Sequence, residues 1–326
     1  MFQPNDIKNA TVLIAPLDWG SGHTTRTFAL IKKLILQKNK IIFAGNQSQI
    51  DFIKKEGLAI ETVELEGYQF NFNPNYSLYL QVSKQLLKLK NAIKIEKKWL
   101  ANYLKEHVID FIISDNRYGF YHNSVKSIFL THQTNLDISF GKNMVNKILK
   151  NKIEKFDVCW IPDYQDQRLS GKLSNHKLTI PTYFIGPLSR FKPTLKPQHD
   201  FVYKYLFIVS GPSPHKEQLL DKIIQFTSTS NYDIGIVTNI LQPKKTPTKN
   251  TILFINPTTS ELQQLIVNSE TIICKCGYTS LMELSTLQKN TFYIPSQNQQ
   301  EQAYLRKLHQ KLTPKNLQTI ALFFKA

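Results

Sequence analysis

The chain has 326 residues, of which 41% are apolar, enough to bury one large core or, more plausibly for this length, two. Its 41 Lys and Arg against 24 Asp and Glu give a formal charge of +17, which favours anionic partners: a phosphorylated substrate, anionic lipid or nucleic acid. Three cysteines exclude a disulfide framework or a cysteine-rich zinc site, and no run approaches the ~18 apolar residues of a membrane span.

Residues 1–10 are polar and read as no secretory signal, so a cytoplasmic protein is expected. The apolar run Thr11–Ala15 is the first predicted strand. It leads into Pro16-Leu17-Asp18-Trp19-Gly20-Ser21-Gly22-His23-Thr24-Thr25-Arg26, and a helical period follows over Thr25–Gln37. Strand, glycine-rich turn and helix in that order aim backbone N–H groups and His23 above the end of a sheet. The turn is not a dinucleotide fingerprint, because the third glycine is missing at the required offset. His23 reads either as a general base or as a histidine bonded to its own backbone.

Further strands are expected at Lys40–Ala44, Ile60–Leu65, Phe111–Ser114, Ile128–Thr131 and Cys159–Ile161, with helices at Ser48–Glu56 and Leu80–Glu106. This alternation predicts a mainly parallel sheet covered on both faces. Within the long helix, Leu86, Leu89, Ile93, Leu100 and Leu104 form an apolar stripe, and Lys84, Lys88, Lys90, Lys94, Lys97, Lys98 and Lys105 surround it. A core-facing stripe with a solvated back is the simpler reading. Peripheral attachment to an anionic membrane, with Trp99 at the interface, is the other. Lysine dominates over arginine and the aromatics lie in apolar runs, so a surface that reads nucleic-acid bases is not expected.

Around residues 186–200 the pattern gives way to Gly, Pro and basic residues, which predicts an N-terminal domain over 1–188, a linker over 189–200 and a C-terminal domain over 201–326. The second domain's predicted strands are Tyr205–Ser210, Ile234–Thr238, Thr251–Ile255, Thr271–Cys274 and Thr291–Ile294. Its helices are Lys216–Phe226, Thr259–Asn268, Ser280–Leu287 and Gln300–Lys311. Two such domains in tandem would face each other across a cleft at the carboxyl ends of their strands.

Three segments of the second domain carry chemistry. Ser210-Gly211-Pro212-Ser213 is a small-residue turn before a helix, suited to phosphate or to nothing more than a loop. In Lys275-Cys276-Gly277-Tyr278-Thr279-Ser280-Leu281-Met282-Glu283, the Ser280 and Glu283 pair reads either as a capping box or as a ribose-binding carboxylate beside helix amides. Pro295-Ser296-Gln297-Asn298-Gln299-Gln300-Glu301-Gln302 offers amides and a carboxylate that suit the hydroxyls of a sugar.

Taken together, these motifs resemble the GT-B glycosyltransferases, in the branch of the bacterial peptidoglycan GlcNAc transferase and the plant galactolipid synthase (glycosyltransferase family 28-like). The resemblance runs in order through nearly the whole chain. It places Gly20, Gly22 and His23 on the family's N-terminal glycine loop, and Ser210, Gly211 and Ser213 on its second loop. Gly277, Ser280 and Glu283 fall on the C-terminal motif, and Gln297, Glu301 and Gln302 on the glutamine-rich turn. His132-Gln133-Thr134-Asn135 echoes a further family segment. Lys275 stands where an arginine is usual, Gln288-Lys289-Asn290 replaces Gly-x-Pro, and Pro212 removes an N–H from the second loop.

The resemblance implies a GT-B fold and inverting transfer of a hexosyl or N-acetylhexosaminyl group from a nucleotide-sugar, in the family a UDP-sugar, to a hydroxyl acceptor. Lipid and cell-envelope glycan precursors are among the acceptors it suggests. His23 would be the base and Asp115 its substitute or orienting partner; Lys275 and the glycine turns would stabilise the leaving diphosphate. No metal is expected, since Asp163-Tyr164-Gln165-Asp166 is spaced as a turn. A monomer or weak homodimer is expected. A UDP-sugar 2-epimerase-like enzyme and a non-catalytic nucleotide-sugar-binding scaffold remain open alternatives.

Overall fold

The computed structural model describes residues 2–68, 78–136, 142–175, 177–193, 201–211, 213–247, 249–294, 299–310 and 317–325, with side chains of the long third helix from residue 88 onward. By its contacts the chain divides into two units. One comprises Met1–Trp19, Arg26–Arg168 and Lys172–Gly186; the other comprises Gly20–Thr25, Leu169–Gly171 and Pro187–Ala326. Each is a parallel-sheet, doubly wound, Rossmann-like domain.

The first unit's seven strands are β1 (Thr11–Pro16), β2 (Lys40–Gly45), β3 (Glu61–Glu64), β4 (Phe111–Asp115), β5 (Lys126–Leu130), β6 (Val158–Ile161) and β7 (Thr182–Phe184). They lie in the order β3-β2-β1-β4-β5-β6-β7, all parallel. The central strands are buried along nearly their whole length, which is why they read as continuous apolar runs. The helices are α1 (Ser21–Leu36), α2 (Gln47–Lys55), α3 (Leu78–Glu106) and α4 (Lys142–Ile153). Leu13, Ile42 and Ile112 pack with Leu100 of α3 in one core cluster.

On α3, Ile93, Glu96 and Leu100 are buried, while Lys88, Lys90, Lys94, Lys97, Lys98 and Lys105 are exposed. Trp99 lies against the core, its ring 5.0 Å from Tyr103 and 6.0 Å from Phe120, rather than at an outer interface. The side chains of Lys84 and Leu86 lie outside the described residues. In this unit one strand and one helix escape the sequence pattern, as α9 (Gln318–Lys325) does in the second. β7 is three residues long beside Pro181, and α4 is dominated by Lys and Asn, with Leu149 and Ile153 as its buried apolar contacts.

The second unit's sheet, β10-β9-β8-β11-β12, is also all parallel. Its strands are β8 (Tyr203–Ile208), β9 (Ile234–Thr238), β10 (Thr251–Ile255), β11 (Ser269–Lys275) and β12 (Thr291–Ile294). The helices are α5 (His215–Thr227), α6 (Thr259–Val267), α7 (Tyr278–Leu287), α8 (Gln300–His309) and α9 (Gln318–Lys325). The core joins Phe207, Ile236, Ile273 and Phe292 with Leu220 and Ile223 of α5 and with Ile320 and Phe324 of α9. Leu188, expected as the last residue of the first domain, and part of the segment read as linker group with this unit. Leu188 is fully buried and its N–H donates to Met282 Sδ at 3.1 Å, and Lys192 and Gln263 exchange hydrogen bonds.

Candidate functional site

In the first unit, polar side chains gather at the carboxyl ends of the central strands, where open parallel sheets present ligand-binding crevices. Asp115 is the last residue of β4, paired in register with Pro16 of β1, and has no exposed surface. Its two carboxylate oxygens receive Arg26 of α1: Nε donates to Oδ2 at 2.7 Å, and the second guanidinium nitrogen donates to Oδ1. Thr27 Oγ1 adds a donation to Oδ2 at 3.2 Å. Arg26 NH1 also reaches His132 Nδ1 at 3.0 Å. A guanidinium has only donors, so Nδ1 of His132 is the acceptor in this contact. Asp115, expected as a substitute base or as the partner of His23, is thus the counter-ion of a buried arginine.

A second buried cluster lies beside it, unread in the sequence. Arg117 donates to Glu96 of α3, and its other nitrogens reach the carbonyls of Pro16 and Glu66. Tyr68 Oη and the Gly119 N–H complete the shell of Glu96. Burial pushes the Glu96 carboxyl above its usual range despite Arg117, and burial with the neighbouring Glu96 charge pushes the Tyr68 phenol up. Tyr68 N–H donates to Asp18 Oδ1 at 3.0 Å. A Cβ on Gly67 would stand 1.8 Å from Asp18 Oδ2, so only glycine allows this approach. The chain leading into the glycine motif is therefore held firmly, with Trp19 53% exposed beyond it.

The first turn of α1 takes in Ser21, Gly22 and His23, so the helix begins four residues earlier than its periodicity suggests. Gly20, at φ 74°, supplies the left-handed entry. Residues 20–25 group with the second unit, and there Thr279 Oγ1 donates to the Gly22 carbonyl at 3.1 Å. A Cβ on Gly22 would lie 2.9 Å from that hydroxyl. The structure thus brings the first glycine motif against the segment Gly277–Ser280. His23 is half-buried in this turn.

The other second-unit residues fall at strand ends. Ser210 and Gly211 follow β8, and Gly211 has φ 120°. A Cβ on Gly211 would come 3.9 Å from Lys275 Nζ at the end of β11, so the second glycine turn and the motif lysine are neighbours. Burial holds Lys275 below the ordinary lysine value. Ser213 Oγ donates to Glu217 Oε1 at 2.6 Å at the start of α5; Pro212 lies outside the described residues.

Gly277 is the N-cap of α7, and no side chain caps that helix. Ser280 is its third residue and Glu283 its sixth, so the capping box does not form. Glu283 is instead 5% exposed, with Oε1 2.9 Å from Arg190 Nε in an ion pair without hydrogen-bond alignment. Gln297 lies outside the described residues, whereas Glu301 and Gln302 form the first turn of α8. Burial and the charge of Glu301 push the Cys276 thiol up to about 12. All three cysteines are free and buried, which leaves them unreactive. Among the described residues no cluster of His, Cys, Asp and Glu could hold a metal ion. Arg26, Arg190 and Thr279 had no separate signal in the sequence, because a partner distant in the chain gives each its role.

No protein-family model matches the chain. An uncharacterized glycosyltransferase of Methanosarcina mazei is 23% identical over 312 residues, covering 87% of this chain and 79% of the relative. Among solved structures, Arabidopsis thaliana UGT89C1 complexed with UDP-L-rhamnose superposes with a TM-score of 0.63 at 13% identity, over 93% of this chain and 83% of that one. A UDP-glucosyltransferase from Polygonum tinctorium gives 0.61 at 11% identity, over 96% and 88%. The fold is GT-B. At these identities the likeness carries architecture, and chemistry must be argued from the residues. Among the described residues no helix is long and apolar enough to cross a membrane.

Proposed function

We propose that the protein is an inverting glycosyltransferase that moves a hexosyl or N-acetylhexosaminyl group from a UDP-sugar to an acceptor hydroxyl, in the manner of the family 28-like branch. The observation that carries this reading is the meeting, within the second unit, of Gly211 with Lys275 and of Gly22 with Thr279. Two glycine turns, an ammonium group and the start of α7, which no side chain caps, surround one set of strand ends. That is the chemistry a diphosphate needs. The M. mazei relative and the structural neighbours, two of them named with UDP or a UDP-sugar, support the same class.

His23 takes the proton of the acceptor hydroxyl as its oxygen attacks the anomeric carbon. The bond from that carbon to the diphosphate breaks with inversion, and UDP leaves against Lys275, the backbone of the turn at Ser210, Gly211 and Ser213, and the first-turn amides of α7 around Ser280, which Gly277 opens as N-cap. Glu283 accepts from the ribose hydroxyls, while Gln297, Glu301 and Gln302 meet the sugar. Lys275 and the helix dipoles supply the positive charge, so the step needs no metal. The first unit serves the acceptor, and the reaction is cytoplasmic, with peripheral attachment to an anionic membrane through the α3 lysines part of the proposal.

The test is calorimetry with UDP and a panel of UDP-sugars, followed by an assay of UDP release. Saturable UDP-sugar binding with release strictly dependent on an acceptor is expected. Sugar interconversion without acceptor would point to an epimerase, and binding without turnover over a broad acceptor panel to a scaffold.

A further inference from the structure

Four segments of the first unit meet at one guanidinium. Arg117, just past β4 and without exposed surface, sends its nitrogens three ways. Nε donates to Glu96 of α3, one terminal nitrogen to the carbonyl of Pro16 at the end of β1 at 3.3 Å, and the other to the carbonyl of Glu66, two residues past β3. Glu96, 2% exposed, receives Tyr68 Oη and the Gly119 N–H on its other oxygen. We propose that this Glu96–Arg117 bridge is a positioning device for the rim of the first unit that receives the acceptor, so that turnover depends on it and donor binding does not. That this rim receives an acceptor rests on the transferase reading; that the bridge orders the rim does not.

The place of the bridge in the sheet carries the inference. β1 and β4 are the neighbours at which the strand order reverses, with β2 and β3 on one side and β5, β6 and β7 on the other. In open parallel sheets the ligand crevice opens outside the carboxyl ends at this point. Arg117 ties its two walls together, because its backbone belongs to the β4 side and its side chain holds Pro16 on the β1 side. Between them, the Leu17 N–H donates to the Asp115 carbonyl at 2.8 Å.

The β4 wall is held in detail. Ser114 Oγ donates to the Arg117 carbonyl at 2.6 Å and accepts from the Arg117 N–H at 3.1 Å. Asn116, between the anchored Asp115 and Arg117, has φ 59°, a left-handed conformation that asparagine tolerates and that firm surroundings maintain. A Cβ on Gly119 would stand 2.7 Å from both Ile93 O and Glu96 Oε2, so the turn lies flush on α3. For stability alone such a bridge gains little, since desolvation offsets most of the attraction and apolar side chains of similar volume often serve as well. Apolar packing has no direction, however. The bridge fixes two carbonyls and an amide from the ends of three strands through directional, charge-assisted bonds.

The experiment measures hydrogen exchange of single amides in the full chain, and kinetics on the same preparations. Glu96→Gln keeps the shape and removes the charge; Arg117→Lys keeps a charge and loses the fork. Leu149→Ala takes buried apolar volume from α4 and controls for stability lost elsewhere in the unit. The amides of Leu17 and Tyr68 donate to Asp115 O and Asp18 rather than to Glu96. In Glu96→Gln and Arg117→Lys they should exchange about 10-fold faster or more. The Cys159 amide of β6, bonded to Pro181 O, should stay as in wild type. Equal exchange in wild type and Glu96→Gln, equal acceleration of all three amides, or the same pattern in Leu149→Ala overturns the ordering role.

Release of UDP from UDP-glucose is then followed with octyl glycosides of glucose, galactose and N-acetylglucosamine as acceptors. Glu96→Gln should keep UDP affinity and lower kcat, or raise the acceptor KM, by about 10-fold or more. Faster exchange at the rim with both constants unchanged overturns the link to turnover. No release by the wild type with any of these acceptors would count against the transferase reading alone, and the exchange rates then decide the bridge.

Discussion

Arg190 Nε lies 2.9 Å from Glu283 Oε1, and both side chains are nearly withdrawn from solvent. A donor ribose at Glu283 must therefore share the carboxylate with a guanidinium from the segment after Gly186. A carboxylate has lone pairs enough for both, so the pair acts as a support. Removing Arg190 takes away the guanidinium that faces this buried charge.

Arg190→Ala is expected to cost about 3 kcal/mol of stability in urea denaturation, the scale for breaking a buried ion pair. Glu283→Gln keeps the shape, loses the charge, and should weaken UDP at least about fivefold by calorimetry. Unchanged UDP affinity in Glu283→Gln would remove the ribose role while leaving the structural pair standing.

His23 sits in the first turn of α1, half-buried, one residue after the Gly22 carbonyl that receives Thr279. As the base it should be dispensable for binding and needed for turnover. His23→Ala is expected to keep UDP affinity and to lower kcat by about 10²-fold or more. A loss within about threefold, roughly 0.65 kcal/mol of barrier, means that another group takes the proton.

Lys275 gives a pH-dependent prediction. Burial lowers its value from 10.5, so folding disfavours the charged ammonium, and a nearby diphosphate favours it again. Between the lowered and the restored value, UDP binding must take up a proton, and affinity must fall as pH rises through the alkaline range below 10.5. Calorimetry in two buffers of different ionisation enthalpy reads the uptake directly. Lys275→Met should abolish it and weaken UDP by about tenfold. Equal uptake in Lys275→Met would assign the proton elsewhere.

The parallel sheets were legible because buried strands read as uninterrupted apolar runs, and Ile234–Thr238, Thr251–Ile255 and Thr291–Ile294 keep their expected bounds. The helix at Lys142–Ile153 was hidden because its polar residues give little apolar contrast, and its Asn146 is buried for hydrogen bonding rather than for apolar contact. Glycines before helices were visible as motifs. What they approach was not visible, since the Gly22–Thr279 contact spans 257 residues of chain. Glu96 shows the same limit. On a lysine-rich helix it reads as a solvated charge, and only the fold brings Arg117 and Tyr68 to it.

Asp115 presents the clearest choice between support and catalysis. Its carboxylate receives Arg26 through two nitrogens and Thr27 through a hydroxyl, all in the interior. Asp115→Asn leaves the guanidinium buried without its counter-ion, so a loss of about 3–5 kcal/mol is expected. Turnover will fall too if the protein loosens, so activity of that variant alone says little. The double variant Arg26→Gln/Asp115→Asn removes both charges and keeps a hydrogen-bonding pair of similar size. Its stability should exceed that of Asp115→Asn, giving a coupling of about 1–3 kcal/mol in a double-mutant cycle. If Asp115 acts only by holding Arg26, kcat should recover together with stability. Restored stability with kcat still depressed about 10²-fold would give the carboxylate a direct part in the proton transfer from the acceptor hydroxyl to His23.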